Sequence, residues 1–165
     1  MSRTAAITGN QLTNALRALG VNFIMGGQGK VAPLSKQPAR LIAALAASDD
    51  ARLRLSLIPL FLEHPEFAVR VHAAVKKLDP FARLTLQCYY CAAVWLGQKY
   101  QPHKKSLPDY FCKELDLHPT TDLEENLRNL AKRHKELSGA RVNWLGTYQH
   151  AAQVWLKGLE FRVVE

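Results

Sequence analysis

The sequence predicts an all-α fold: a single-domain bundle of about seven helices around one buried central helix, Pro80 to Tyr100. Two observations carry most of that expectation. Residues 79–101, DPFARLTLQCYYCAAVWLGQKYQ, form a long, almost wholly apolar block with a helix-starting Asp-Pro at its head. Elsewhere apolar residues recur at helical spacing between Ser, Thr, Asp, Gly and Pro boundaries, and no stretch reads as a sheet.

Within the block, Asp79 suits an N-cap, and Pro80 suits the first helical position, where a missing N–H costs nothing. Phe81, Leu84, Cys88, Cys91 and Trp95 form one stripe, and Leu86, Tyr89, Ala93, Leu96 and Tyr100 a second one displaced around the axis. Between Leu86 and Leu96 only Gln87 is polar. A helix of about 30 Å enclosed on most of its circumference follows.

Upstream, Thr8 and Gln11 make a capping box ahead of Leu12, Ala15, Leu16 and Leu19, and Gly20 can close that helix in left-handed geometry. Residues 26–37 read as a flexible connector containing Gly and Pro. Its Gly26-Gly27-Gln28-Gly29-Lys30 fails as a phosphate loop, because Val31 stands where a hydroxyl should hold Mg²⁺. From Pro38 the chain is helical again. Ser48-Asp49-Asp50 then start ARLRLSLIPLFLEH, in which Pro59 must interrupt the hydrogen bonding to Leu55. His64-Pro65 opens a further helix with Phe67, Val71, Ala74, Val75 and Leu78 inward.

After the central helix, 102–107 is a basic loop, and Pro108 can open a short helix bearing Phe111 and Leu115. Thr121 and Glu124 suggest a second capping box before Leu123, Leu127, Leu130, His134 and Leu137, with Ser138-Gly139 as the stop. The last helix carries Trp144, Tyr148, Ala151, Trp155 and Leu159 on a face expected to pack on the central helix.

The 165 residues suit one domain, 1–165, able to bury about 70% of its unfolded surface without disulfide or metal. No apolar run of about eighteen residues and no leader-like segment is present, so no membrane association and a cytoplasmic location are expected. Three cysteines, an odd number, suit reduced thiols. The net charge of +8 favours an acidic partner, nucleic acid or protein, while a merely well-solvated basic surface is the competing reading.

Candidate chemistry is sparse. Cys88 and Cys91 form C-x-x-C in mid-helix on an apolar stripe, where sulfur packs as a small hydrophobe; Cys112 and His103 lack zinc-site spacing, and no metal or cofactor is expected. Arg128-Asn129-Leu-Ala-Lys-Arg-His134 resembles the Arg-polar-x-His motif of HEPN-domain ribonucleases. That resemblance implies metal-independent RNA cleavage, His134 assisting proton transfer and Arg128 stabilising phosphate charge. Against it, His134 falls on the apolar stripe of its own helix, which reads as core. Basic residues cluster at Arg128, Lys132, Arg133, Lys135 and Arg141, and again at Lys99, Lys104 and Lys105. On a shared face they could track a phosphate backbone, with Trp144 or Tyr148 for stacking; Glu124, Glu125 and Glu136 are interleaved and could neutralise them.

PARLIAALAASDDARLRLSLIPLFLEHPEFA, LTLQCYYCAAVWLGQKY, LPDYF and LSGARVNWLGTYQHAAQVWL look like an uncharacterised helical family of cyanobacteria and related bacteria. The resemblance implies a non-enzymatic subunit of a toxin–antitoxin-like gene pair whose partner is a minimal nucleotidyltransferase. GVNFIMGG is itself similar to the opening strand and Gly-Gly of nucleotidyltransferases, but no aspartate pair follows to hold catalytic metal.

Overall fold

The Asp79 carboxylate accepts the Ala82 N–H at 2.8 Å and opens the longest helix of the chain's computed structural model, which describes residues 7–21 and 33–163. In chain order the helices are α1 (Gly9–Ala18), α2 (Pro38–Ala47), α3 (Ala51–Leu55), α4 (Leu57–Glu63), α5 (Val71–Val75), α6 (Pro80–Tyr100), α7 (Leu123–Ser138) and α8 (Trp144–Val163). Two 3-10 stretches, Pro33–Lys36 and Pro65–Arg70, link them, and no strand occurs among the described residues. The fold is all-α. Counting α3 and α4 as one interrupted rod, it matches the expected bundle.

Helix α6 is the core of that bundle. Every residue from Thr85 to Leu96 is buried, whereas Phe81, the first member of the predicted stripe, is 61% exposed on the N-terminal turn. α7, α4 and α2 enclose it. α7 runs antiparallel to it, with Lys99 meeting Glu124 at one end and Tyr89 meeting His134 further along. Gln87, the one polar residue of the block's middle, donates through Nε2 to Glu114 at 2.8 Å.

Several local signals act as read. Thr8 and Gln11 cap α1 reciprocally, and Gly20 at φ +78° closes it. Pro59 offers no N–H to Leu55, so the rod breaks at Ser56, one turn earlier, and the Ser56 hydroxyl donates instead to the Leu53 carbonyl. Gly139 at φ +67° ends α7. The glycine-rich string 26–30 and most of GVNFIMGG lie outside the described residues, and the end of the predicted connector, 33–36, is a 3-10 turn.

Three boundaries and one packing arrangement differ from the sequence expectation. The helix expected from Pro65 is a 3-10 stretch followed by the short α5. Its buried Ala68, Val71 and Ala74 are spaced by three, a period that three residues per turn keeps in line. No helix starts at Pro108. Asp109 Oδ1 accepts the Cys112 N–H at 3.1 Å, but Asp116 turns left-handed at φ 56° and ends the coil after one turn. Leu107, Phe111, Leu115 and Leu117 nevertheless bury, and the Tyr90 hydroxyl donates to the Pro108 carbonyl at 2.6 Å, holding the segment on α6. The cap of α7 is Asp122, not Thr121, because an ionised carboxylate is the stronger acceptor for the Glu125 N–H. Finally, α8 lies mainly against α7 and α4 rather than α6; Trp155 Nε1 reaches Glu63 of α4 at 2.8 Å.

Candidate nucleic-acid interface

Gly139 ends α7 and Asn143 Oδ1 caps α8 by accepting the Gly146 N–H at 3.0 Å, so the chain reverses within five residues. A Cβ on Gly146 would sit 2.7 Å from the Asn143 amide nitrogen, so glycine leaves room for that cap. The reversal lays the Trp144 indole flat on His134, with centroids 3.6 Å apart and planes 12° apart. His134 is 2% exposed and faces Tyr89 edge-on. Its Nδ1 lies 2.6 Å from the Tyr148 hydroxyl. Burial drives its pKa down to about 3 and pushes the Tyr148 phenol up. His134 is therefore a neutral core residue that fixes the α7–α8 corner. The Tyr148 ring is fully buried and offers no stacking surface; half-buried Trp144 retains one.

Arg128 belongs elsewhere. Arg128, Lys132 and Lys135 occupy a stripe about 60° wide on α7, while His134 projects about 240° from Arg128. All three cations are exposed, so Arg128 is grouped with the lysines and not with the histidine. No solvent-open site combines the two residues of the HEPN-like motif.

The remaining basic candidates separate by what they touch. Lys99 hydrogen-bonds Glu124, which raises its pKa, and lies 5.1 Å from the Tyr100 ring centroid. Arg133 donates through Nε to the Leu115 carbonyl at 2.8 Å and pairs with Glu136 at 3.3 Å. Lys104 and Lys105 are exposed at the C-terminal end of α6, the end of the α6–α7 pair opposite to Lys135 and Arg141. Thus Lys104 and Lys105 lie at one end of the α6–α7 pair and Lys135 and Arg141 at the other.

Lys132, Lys135 and Arg141 do converge. With Asn143 and Trp144 they line an open recess of about 600 Å³, without any Asp or Glu. Two of the interleaved glutamates are paired elsewhere, Glu124 with Lys99 and Glu136 with Arg133, and the Glu125 carboxylate accepts from the Thr120 hydroxyl. Among the described residues, Arg128, Lys132, Lys135 and Arg141 make no ion pair.

The cysteines lie apart from this surface. All three are free and buried; desolvation pushes Cys88 up to about 12, and a hydrogen bond with Cys112, together with burial, raises Cys91 well above the usual thiol range. Among the described residues no three His, Cys, Asp or Glu side chains group as metal ligands, and no helix is long and apolar enough to cross a membrane.

No family model matches the chain, and no curated protein or solved structure is significantly similar to it.

Proposed function

We propose that this chain is a non-catalytic helical protein that binds nucleic acid along the α7–α8 corner. The observation that carries the reading is the recess that Lys132, Lys135 and Arg141 line with no Asp or Glu among them, edged by half-buried Trp144 and continued along α7 by exposed Arg128. Cations that make no ion pair suit backbone phosphates, whose binding releases counterions. The net charge of +8 adds long-range attraction. The test is affinity for RNA and DNA across a salt series. Affinity should fall steeply with salt, and Lys132→Glu with Lys135→Glu should weaken binding far more than Lys36→Glu with Lys113→Glu. Binding indifferent to salt would overturn the reading.

A second reading is a protein partner. Val69 and Phe81 are 71% and 61% exposed, apolar side chains that a partner could cover. The family resemblance makes a nucleotidyltransferase encoded beside this protein the natural candidate. Co-expression and co-purification of the two products supports it, and the loss of that complex in Phe81→Glu would place the contact.

A further inference from the structure

Trp144 and exposed Val142 line a second recess as well, on the side towards α3. It has a volume of about 570 Å³, within the range of about 300–1,000 Å³ common for small-molecule sites. Arg52 and Arg54 of α3 stand at one side, Thr147 and His150 of α8 at the other, and Tyr89 of α6 also lines it. As in the neighbouring recess, no Asp or Glu contributes to the lining. Arg54 is held in place by its bond to the Ser48 carbonyl at 2.8 Å, while Arg52 is exposed and linked to Asp50 at 3.4 Å.

The two recesses therefore adjoin at one aromatic wall. One offers exposed lysines and an arginine suited to phosphates. The other is a concave space with aromatic and aliphatic walls, a threonine hydroxyl, an imidazole and guanidinium groups. Such a lining suits a planar heterocycle that stacks on an aromatic ring and carries acceptors for arginine. The indole is kept in register by its stack on His134, so its position is set before any ligand arrives.

We propose that the α3–α8 recess holds one unpaired base of a single-stranded nucleic acid whose phosphates cross Lys132, Lys135 and Arg141. This rests on the nucleic-acid reading above and adds strand selectivity to it. A duplex presents its phosphates outward while its bases stay stacked, so it can use only the lysine side of the corner. A single strand can use both.

The test compares an oligoadenylate strand, the same strand paired with oligouridylate, and free adenosine monophosphate, each against the full chain. The single strand should bind at least tenfold tighter than the duplex and quench tryptophan emission, a signal that Trp144→Phe should remove. Thr147→Leu and Ala51→Leu both narrow the recess, and Ala51 is exposed, so its enlargement leaves the core untouched. Each should reduce single-strand affinity about tenfold and leave duplex affinity unchanged, and Ala51→Leu should also leave the melting temperature unchanged. Lys132→Glu with Lys135→Glu should weaken both ligands. Equal affinity for strand and duplex, or narrowed variants that bind the strand as the parent does, would overturn the base pocket while leaving the phosphate-binding corner intact. Absence of binding to both at low salt would overturn the corner itself. Adenosine monophosphate binding as tightly as the strand would make the recess a free-nucleotide site instead.

Discussion

The Nδ1 atom of His134 and the hydroxyl oxygen of Tyr148 lie 2.6 Å apart, joining α7 to α8 inside the corner whose outer surface carries the lysines. Both groups are buried, and burial disfavours the charged form of each. Unfolded His134 takes up its proton near its ordinary pKa of 6.5, and the folded one only near 3. Between those values the unfolded chain binds more protons, so stability is full above about pH 6.5 and is lost as pH falls towards 3. The loss approaches about 1.4 kcal/mol per pH unit. Urea unfolding at pH 7 and pH 4.5 should show the parent losing about 2 kcal/mol more than His134→Leu, which cannot titrate.

His134→Ala should itself destabilise the fold by about 3 kcal/mol, because it leaves a cavity beneath Trp144 and deprives the buried Tyr148 hydroxyl of its partner. Melting temperature is the readout. If His134→Ala kept full stability and instead abolished an RNA-cleaving activity, the core assignment would fail.

Arg133 and Lys132 are chain neighbours with different roles. Arg133→Gln should lower stability by about 1–2 kcal/mol, since its charged bond to the Leu115 carbonyl pins the 107–117 segment to α7. Its effect on nucleic-acid affinity should be small. Lys132→Gln should do the reverse, with stability changed by less than about 0.5 kcal/mol. Lys99→Gln should change stability by no more than about 1 kcal/mol, as its pair with Glu124 is partly exposed.

Asn126 is 3% exposed, and its amide bridges the Thr120 backbone, accepting from N–H and donating to C=O at 2.8 Å each. Asn126→Ala removes both bonds at once. A loss of about 2 kcal/mol in chemical unfolding is expected, with faster amide exchange at residues 118–122.

Trp155 ties α8 to α4 through its bond from Nε1 to Glu63. Trp155→Phe keeps most of the buried ring but loses the donor, and should cost about 1.5–2 kcal/mol. Glu63→Gln retains an acceptor and should cost about 0.5 kcal/mol.

Most of the helices were legible because their causes are local. A capping box, an Asp-Pro head or a left-handed glycine acts over three or four residues; Thr8 and Asp79 start their helices and Gly139 ends its own as their chemistry requires. Where a rival lay within the same few residues, the local reading slipped. Asp122 outcompeted Thr121 as a cap, and left-handed Asp116 cut short the turn begun by Asp109. The burial of His134 was visible in its leucine spacing, but not its enclosure: Leu137 is 44% exposed, and the ring is covered by Trp144 instead.

The sequence by itself determined the helical class, the burial of the central helix and the excess of positive charge, since periodicity and composition are properties of the chain alone. Only the tertiary structure decided which cations are available for a ligand. Lys99 and Arg133 look like the other basic residues in the string, yet α7 packing brings them against Glu124 and the Leu115 carbonyl. No local signal connects Arg52 and Arg54 with Trp144, about ninety residues away, and packing alone brings them to one recess. The reason is range: a helix is set by contacts within one turn, whereas a cation's role depends on whichever group folding brings within about 4 Å of it.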